Sequence, residues 1–113
     1  MEHRYSKRLE AGLKSLVFKR GIPVATGTIR DVSRGGLFIE TDYEDIKAHQ
    51  ILEVEFHLKG YQRPKRMRVK AVVARTTGRG FGLELEETSD DGYDALCALM
   101  DALSEQQSHY SVA

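Results

Sequence analysis

Residues 51–58 read ILEVEFHL, and their alternation decides the fold class. Leu52, Val54, Phe56 and Leu58 are separated by Glu53, Glu55 and His57. A two-residue period with one apolar face is the mark of a half-buried strand, because successive side chains on a pleated backbone point to opposite sides. The same beat returns downstream, where Met67, Val69, Ala71 and Val73 alternate with Arg68 and Lys70. After the turn residues TTGRG (76–80), Phe81, Leu83 and Leu85 alternate with Gly82, Glu84 and Glu86. Upstream, apolar runs at Leu16–Phe18, at about Pro23–Val32 and at Leu37–Thr41 are punctuated by Arg20-Gly21 and by Arg34-Gly35-Gly36. Six strands with one apolar face each need a second sheet or closure on themselves, and a small antiparallel barrel is the expected solution.

Beyond Glu87 the period lengthens. Tyr93, Leu96, Cys97, Met100 and Leu103 recur at three- and four-residue spacing, one stripe of a helix that closes a side of the barrel. Thr88 with Asp91 reads as a capping-box variant at its start, and Asp90 and Asp91 suit the positive end of the helix dipole. Cys97 falls in the stripe as a small hydrophobe. The last ten residues, SEQQSHYSVA (104–113), are polar and aperiodic and are expected to fray.

A chain of 113 residues is one domain's worth. Its N-terminus, MEHRYSKRLEAG, has no apolar signal-peptide core, and no apolar run approaches the roughly 20 residues that span a bilayer. The single Cys97 rules out an internal disulfide and suits a reducing cytoplasm. One cysteine and four scattered histidines give no metal-ligand spacing. No nucleophile elbow, phosphate-binding loop or dinucleotide fingerprint is present, so an enzyme is the disfavoured class.

Charge is balanced at 17 basic and 17 acidic residues but comes in blocks. Residues 59–80 hold eight Lys/Arg and no acid, while residues 81–105 hold eight Asp/Glu and no base. Such blocks predict a bipolar surface whose basic pole attracts a phosphate-bearing partner.

Two motifs carry chemistry. Arg4 and Arg8, in HRYSKR (3–8), precede the first strand on a segment (1–12) expected to be a mobile arm, and a guanidinium fork suits phosphate oxygens or the edge of guanine. Between the second and third strands, Asp31, Ser33 and Gly36 form Asp-x-Ser-x-x-Gly. Asp31 can accept two hydrogen bonds from the N–H groups of a guanine edge, Ser33 can serve a phosphate or a base, and Gly35 and Gly36 allow close backbone approach. Inward parity along the fifth strand runs Met67, Val69, Ala71, Val73, Arg75, which puts Arg75 at the barrel rim as the strand ends, free to stack on a purine or meet a phosphate.

Arg4-x-x-x-Arg8 ahead of the first strand, Asp31-x-Ser33-x-x-Gly36 between the second and third, and GRGFGLEL (78–85) opening the last together resemble the PilZ domain family. The resemblance implies a mainly β fold, a six-stranded antiparallel PilZ-type β-barrel with a C-terminal α-helix over residues 1–103. It also implies a receptor for cyclic di-GMP, with no further cofactor. By it, Arg4 and Arg8 grip phosphates and guanine edges, Asp31 and Ser33 hold a guanine and its neighbouring phosphate, and Gly35 and Gly36 clear space. His3, ahead of the first Arg, departs from the family's fullest pattern and leaves one or two nucleotides per chain open. With no output module in the chain, the signal is expected to reach an effector protein through an arm ordered over the ligand. Two alternatives stand beside this reading: a small basic barrel binding single-stranded nucleic acid, disfavoured because Tyr61 is the one aromatic among residues 59–80, and a nucleotide-independent protein-interaction adaptor.

Overall fold

The computed structural model describes residues 8–59, 63–86 and 90–112, with side chains of Asp90 and of 106–112 set aside. Six strands precede one helix: β1 (Leu9–Lys19), β2 (Ile22–Ser33), β3 (Gly36–Glu40), β4 (Ile51–Leu58), β5 (Lys65–Thr77), β6 (Gly80–Leu85) and α1 (Asp90–Val112). The strands close into a barrel in the order β1-β2-β3-β6-β5-β4, every neighbouring pair antiparallel. Closure removes the free edges that a small open sheet would expose.

Local chemistry sets the hairpins. Lys19 pairs with Ile22, and the two residues between them, Arg20 and Gly21, have φ of 55° and 80°. Two left-handed residues make the turn whose twist matches that of paired strands. Gly36 is required by packing: a Cβ there would stand 2.1 Å from the Leu83 carbonyl oxygen of β6. The segment joining β3 to β4 crosses one end of the barrel and buries Ile46.

The alternation in ILEVEFHL is realised directly. Leu52, Val54 and Phe56 are buried, and they meet Val17, Ile29, Leu37, Ile39, Val69, Val73, Phe81 and Leu83 in one core. Truncating Phe56 or Phe81 to alanine there costs about 3–5 kcal/mol, transfer and cavity terms together.

Three expectations are corrected. The first strand starts at Leu9, so residues 9–12 of the expected arm belong to β1, with Leu9 and Glu10 paired to Val32 and Asp31 of β2. The helix runs on to Val112 through the segment expected to fray, in keeping with the helix formers Glu105, Gln106 and Gln107 and the lack of a Gly or Pro stop. Its buried face is Gly92, Ala95, Leu96, Leu99 and Leu103, set against β5, β1 and β2. The expected stripe is therefore rotated. Tyr93 is exposed, Cys97 and Met100 lie half-buried at the margin, and the neighbouring Cys97 thiol raises the pKa of the Tyr93 hydroxyl. Gly92 and Ala95 are small members of that buried face, and periodicity counted from large apolar residues passes over them. The Thr88–Asp91 cap has Thr88 outside the described residues.

The charge blocks also change meaning. Antiparallel pairing lays β4 against β5, so Glu55 faces Arg68 and Glu53 faces Lys70. Arg68 Nη2 donates to Glu55 Oε1 at 2.7 Å, its Nη1 donates to Glu53 Oε1 at 3.4 Å, and its Cζ lies 4.0 Å from the centre of the Phe18 ring. Arg66 also approaches Glu55, at 4.0 Å. This part of the basic block is matched by neighbouring carboxylates instead of forming a separate pole.

Candidate functional site

Of the motif residues, Arg8 and Asp31 meet on the outer wall of the barrel, and strand irregularities turn Asp31 and Arg75 to that face. In β2, Ile29 faces Ile39 while Asp31 faces Phe38, so Arg30 is an extra residue. Strict alternation from Ile29 would turn Asp31 into the core. The bulge turns it outward and returns Val32 to the buried face opposite Leu37. In β5 the same device operates: Val73 faces Leu83, Arg75 faces Gly82, and Ala74 is the extra residue. The expectation that Arg75 continues the inward parity to a strand end at the rim is corrected accordingly. It stands on the outer face, and β5 runs two residues further to Thr77. A bulge is silent in a hydrophobic pattern, since it shifts parity by one without a diagnostic residue.

The register then defines one row across five strands. Glu10 of β1 faces Asp31 of β2, Asp31 faces Phe38 of β3, Phe38 faces Gly82 of β6, and Gly82 faces Arg75 of β5. Arg8 joins the row from just ahead of β1, its Nη1 2.6 Å from Asp31 Oδ1, with the two side chains 54% and 32% exposed. At that exposure the pair contributes about 0–1 kcal/mol to stability. It can therefore open for a ligand at small cost.

The rest of Asp-x-Ser-x-x-Gly has a different setting. Ser33 is buried, and its Oγ donates to the Gly36 carbonyl at a long 3.5 Å. Gly36 is buried against Leu83, so the barrel itself accounts for it. Gly35 is exposed, with nothing within 4 Å of a Cβ built on it, and its carbonyl accepts from the Leu85 amide at 2.9 Å. Arg4 lies outside the described residues. Of the sequence-derived set, Arg8, Asp31 and Arg75 share the outer row, while Ser33, Gly35 and Gly36 form the adjoining turn.

Phe38 is the residue that sequence reasoning passed over. Its signal was present: it lies between Leu37 and Ile39, both buried, so its ring belongs to the outer face, where a half-buried aromatic has no core to join. Across Gly82 it approaches Arg75. The row thus offers two guanidinium groups, the carboxylates of Asp31 and Glu10 and an aromatic face, which include donor, acceptor and stacking elements for a phosphate-bearing base.

A closed six-stranded antiparallel barrel with one C-terminal helix defines the architecture of a small β-barrel domain. More narrowly, the chain belongs to the PilZ family: residues 2–102 match the family model described as PilZ domain. PilZ domains are typically cyclic di-GMP-binding and generally non-catalytic receptor domains. Among solved structures, the chain is similar to the PilZ domain of CeSA from a cellulose-synthesizing bacterium, with a TM-score of 0.71 at 20% identity, covering 88% of this chain and 99% of that one. It is also similar to the uncharacterized Legionella protein Lpg0364, with a TM-score of 0.58 at 16% identity, covering 90% and 98%. At such identities the likeness concerns the fold. No curated protein matches the chain significantly. Among the described residues no helix is long and apolar enough to cross a membrane.

Proposed function

We propose that this domain is a cytoplasmic receptor for cyclic di-GMP, held on the outer wall by Arg8, Asp31 and Arg75, with Arg4 closing from the preceding segment. The observation that carries the reading is the Arg8–Asp31 pair at 2.6 Å in one row with Phe38, Gly82 and Arg75. Asp31 accepts from the guanine N–H edge, and the guanidinium groups of Arg4 and Arg8 take the phosphates. Ser33 and the Gly35-Gly36 turn hold the β2 end of the site and the backbone beside it.

Ligand capture draws Arg8 from Asp31 to the phosphates and orders the segment ahead of Leu9 over the ligand, which changes the surface shown to an effector protein. Fixing each residue of that segment costs about 1–2 kcal/mol, offset by charge-assisted hydrogen bonds at about 1.5–3 kcal/mol each. Two arginines and one aspartate are enough to fix only a few residues, so a short arm suits the balance.

Binding of single-stranded nucleic acid is the weaker reading, because Arg66 and Arg68 are engaged by Glu53 and Glu55. A nucleotide-independent adaptor leaves the outward-turned Asp31 and Arg75 without a task. Calorimetric titration with cyclic di-GMP beside GTP and a short single-stranded oligonucleotide tests the choice: saturable binding of the cyclic dinucleotide alone supports the receptor, and oligonucleotide binding alone overturns it.

A further inference from the structure

Three glycines in β3 and β6 can be told apart by what a side chain would meet. At Gly36 a Cβ would stand 2.1 Å from the Leu83 carbonyl oxygen, and at Gly80 1.9 Å from that of Ile39, so the barrel forbids anything larger at either. Gly82 is different. A Cβ there would meet Arg75 Cγ at 3.6 Å, Arg75 Nε at 3.7 Å and Phe38 Cδ1 at 3.9 Å, all ordinary van der Waals contacts. Its φ is not positive. Neither backbone conformation nor packing asks for glycine at 82, and a glycine inside a strand weakens the strand.

What the missing side chain leaves is a bare floor between two walls. Phe38 rises from β3 on one side and Arg75 from β5 on the other, both on the outer face and both cross-strand partners of Gly82. An aromatic ring and a guanidinium plane are the two side-chain types on which nucleobases stack. The floor lies two strands from Asp31, about 10 Å at the spacing of paired strands. We infer that Gly82 is the floor of a notch, walled by Phe38 and Arg75, that takes the flat face of a purine base while a second purine is held at Asp31. This rests on the cyclic di-GMP reading and adds Gly82 and Phe38 to it as determinants of base recognition.

The test is a pair of substitutions read by two independent measurements. Gly82→Ala adds one methyl group at ordinary contact distance, so the domain folds, with a melting temperature equal to or above that of the wild type. The same methyl raises the floor and lowers cyclic di-GMP affinity about tenfold in calorimetric titration. Phe38→Leu keeps an apolar side chain and removes the ring, and lowers affinity by about the same factor, within the span observed for loss of one base–aromatic stack. Arg8→Ala serves as the reference for loss of the phosphate grip. Wild-type affinity in both folded Gly82→Ala and Phe38→Leu proteins, with Arg8→Ala weakened, overturns the notch and leaves the receptor standing. Absence of cyclic di-GMP binding by the wild type overturns both.

Discussion

Arg8 and Asp31, 23 positions apart, meet in an ion pair at 2.6 Å on the outer wall of the barrel. One belongs to the arginine motif and the other to Asp-x-Ser-x-x-Gly, so the fold joins the two motifs. In the proposed site each group holds the partner chemistry that a nucleotide would supply: a carboxylate in place of phosphate, a guanidinium in place of a guanine edge.

Because the pair is exposed, its loss separates binding from folding. Arg8→Ala and Asp31→Ala should each change stability by about 1 kcal/mol or less. Each should weaken cyclic di-GMP by about tenfold or more, corresponding to about 1.5–3 kcal/mol for a charge-assisted contact. Thermal melts and calorimetry on the two variants read the two quantities separately.

Glu10 faces Asp31 across β1 and β2, and like charges directly opposite each other oppose pairing. Its side chain is exposed beside the place where phosphates would bind. Glu10→Gln is expected to tighten cyclic di-GMP binding several-fold at low salt and to steepen its loss as salt rises, because the repulsion that salt would screen is gone. Unchanged affinity across a salt series would remove Glu10 from the site's electrostatics.

Gly36 gives the opposite signature to the arginine and aspartate variants. Gly36→Ala forces a methyl against the Leu83 carbonyl and should cost about 1–3 kcal/mol or more through displacement of β6. A denaturant titration that shows undiminished stability would contradict the close approach of β3 and β6.

Acid sensitivity should be traceable to Glu55. The hydrogen bond from Arg68, aided by the nearby charges of Arg66 and Arg68, holds its pKa below the ordinary value of about 4.5 despite the opposing effect of partial burial. A carboxylate whose pKa is depressed on folding stabilises the native state fully above its unfolded value, and that contribution fades as pH falls through the folded one. Stability should therefore drop as pH is lowered below about 4.5, more steeply in the wild type than in Glu55→Gln. Parallel pH profiles for the two proteins would remove Glu55 from the acid response.

The barrel was readable because its strands obey a strict period. ILEVEFHL and its counterparts at Met67–Val73 and Phe81–Leu85 put the right residues inward, and GRGFGLEL supplied the last hairpin. Where the period is broken the sequence is silent. The extra residues Arg30 and Ala74 flip parity without any compositional mark, and for that reason Arg75 was expected at a rim. Phe38 lies on the unbroken alternation of β3 between Leu37 and Ile39, so its outward ring was legible and was passed over. The helix face was misjudged because the stripe was started from Tyr93, which is exposed, so it runs along the margin of a buried face made by Gly92, Ala95, Leu96, Leu99 and Leu103. The charge blocks failed as a guide to the surface because antiparallel pairing interleaves what the linear sequence separates.

The central claim, that the outer row is a cyclic di-GMP site, is tested most directly by calorimetric titration of the wild type and Asp31→Ala with cyclic di-GMP across a salt series. With two phosphates on the ligand, wild-type affinity should fall only modestly as salt rises, far less than for a strand that releases counterions at roughly −0.7 in log K per phosphate. Asp31→Ala should bind about tenfold or more weakly at every salt concentration. No cyclic di-GMP binding by the wild type, together with tight and salt-steep binding of a single-stranded oligonucleotide, would contradict the account.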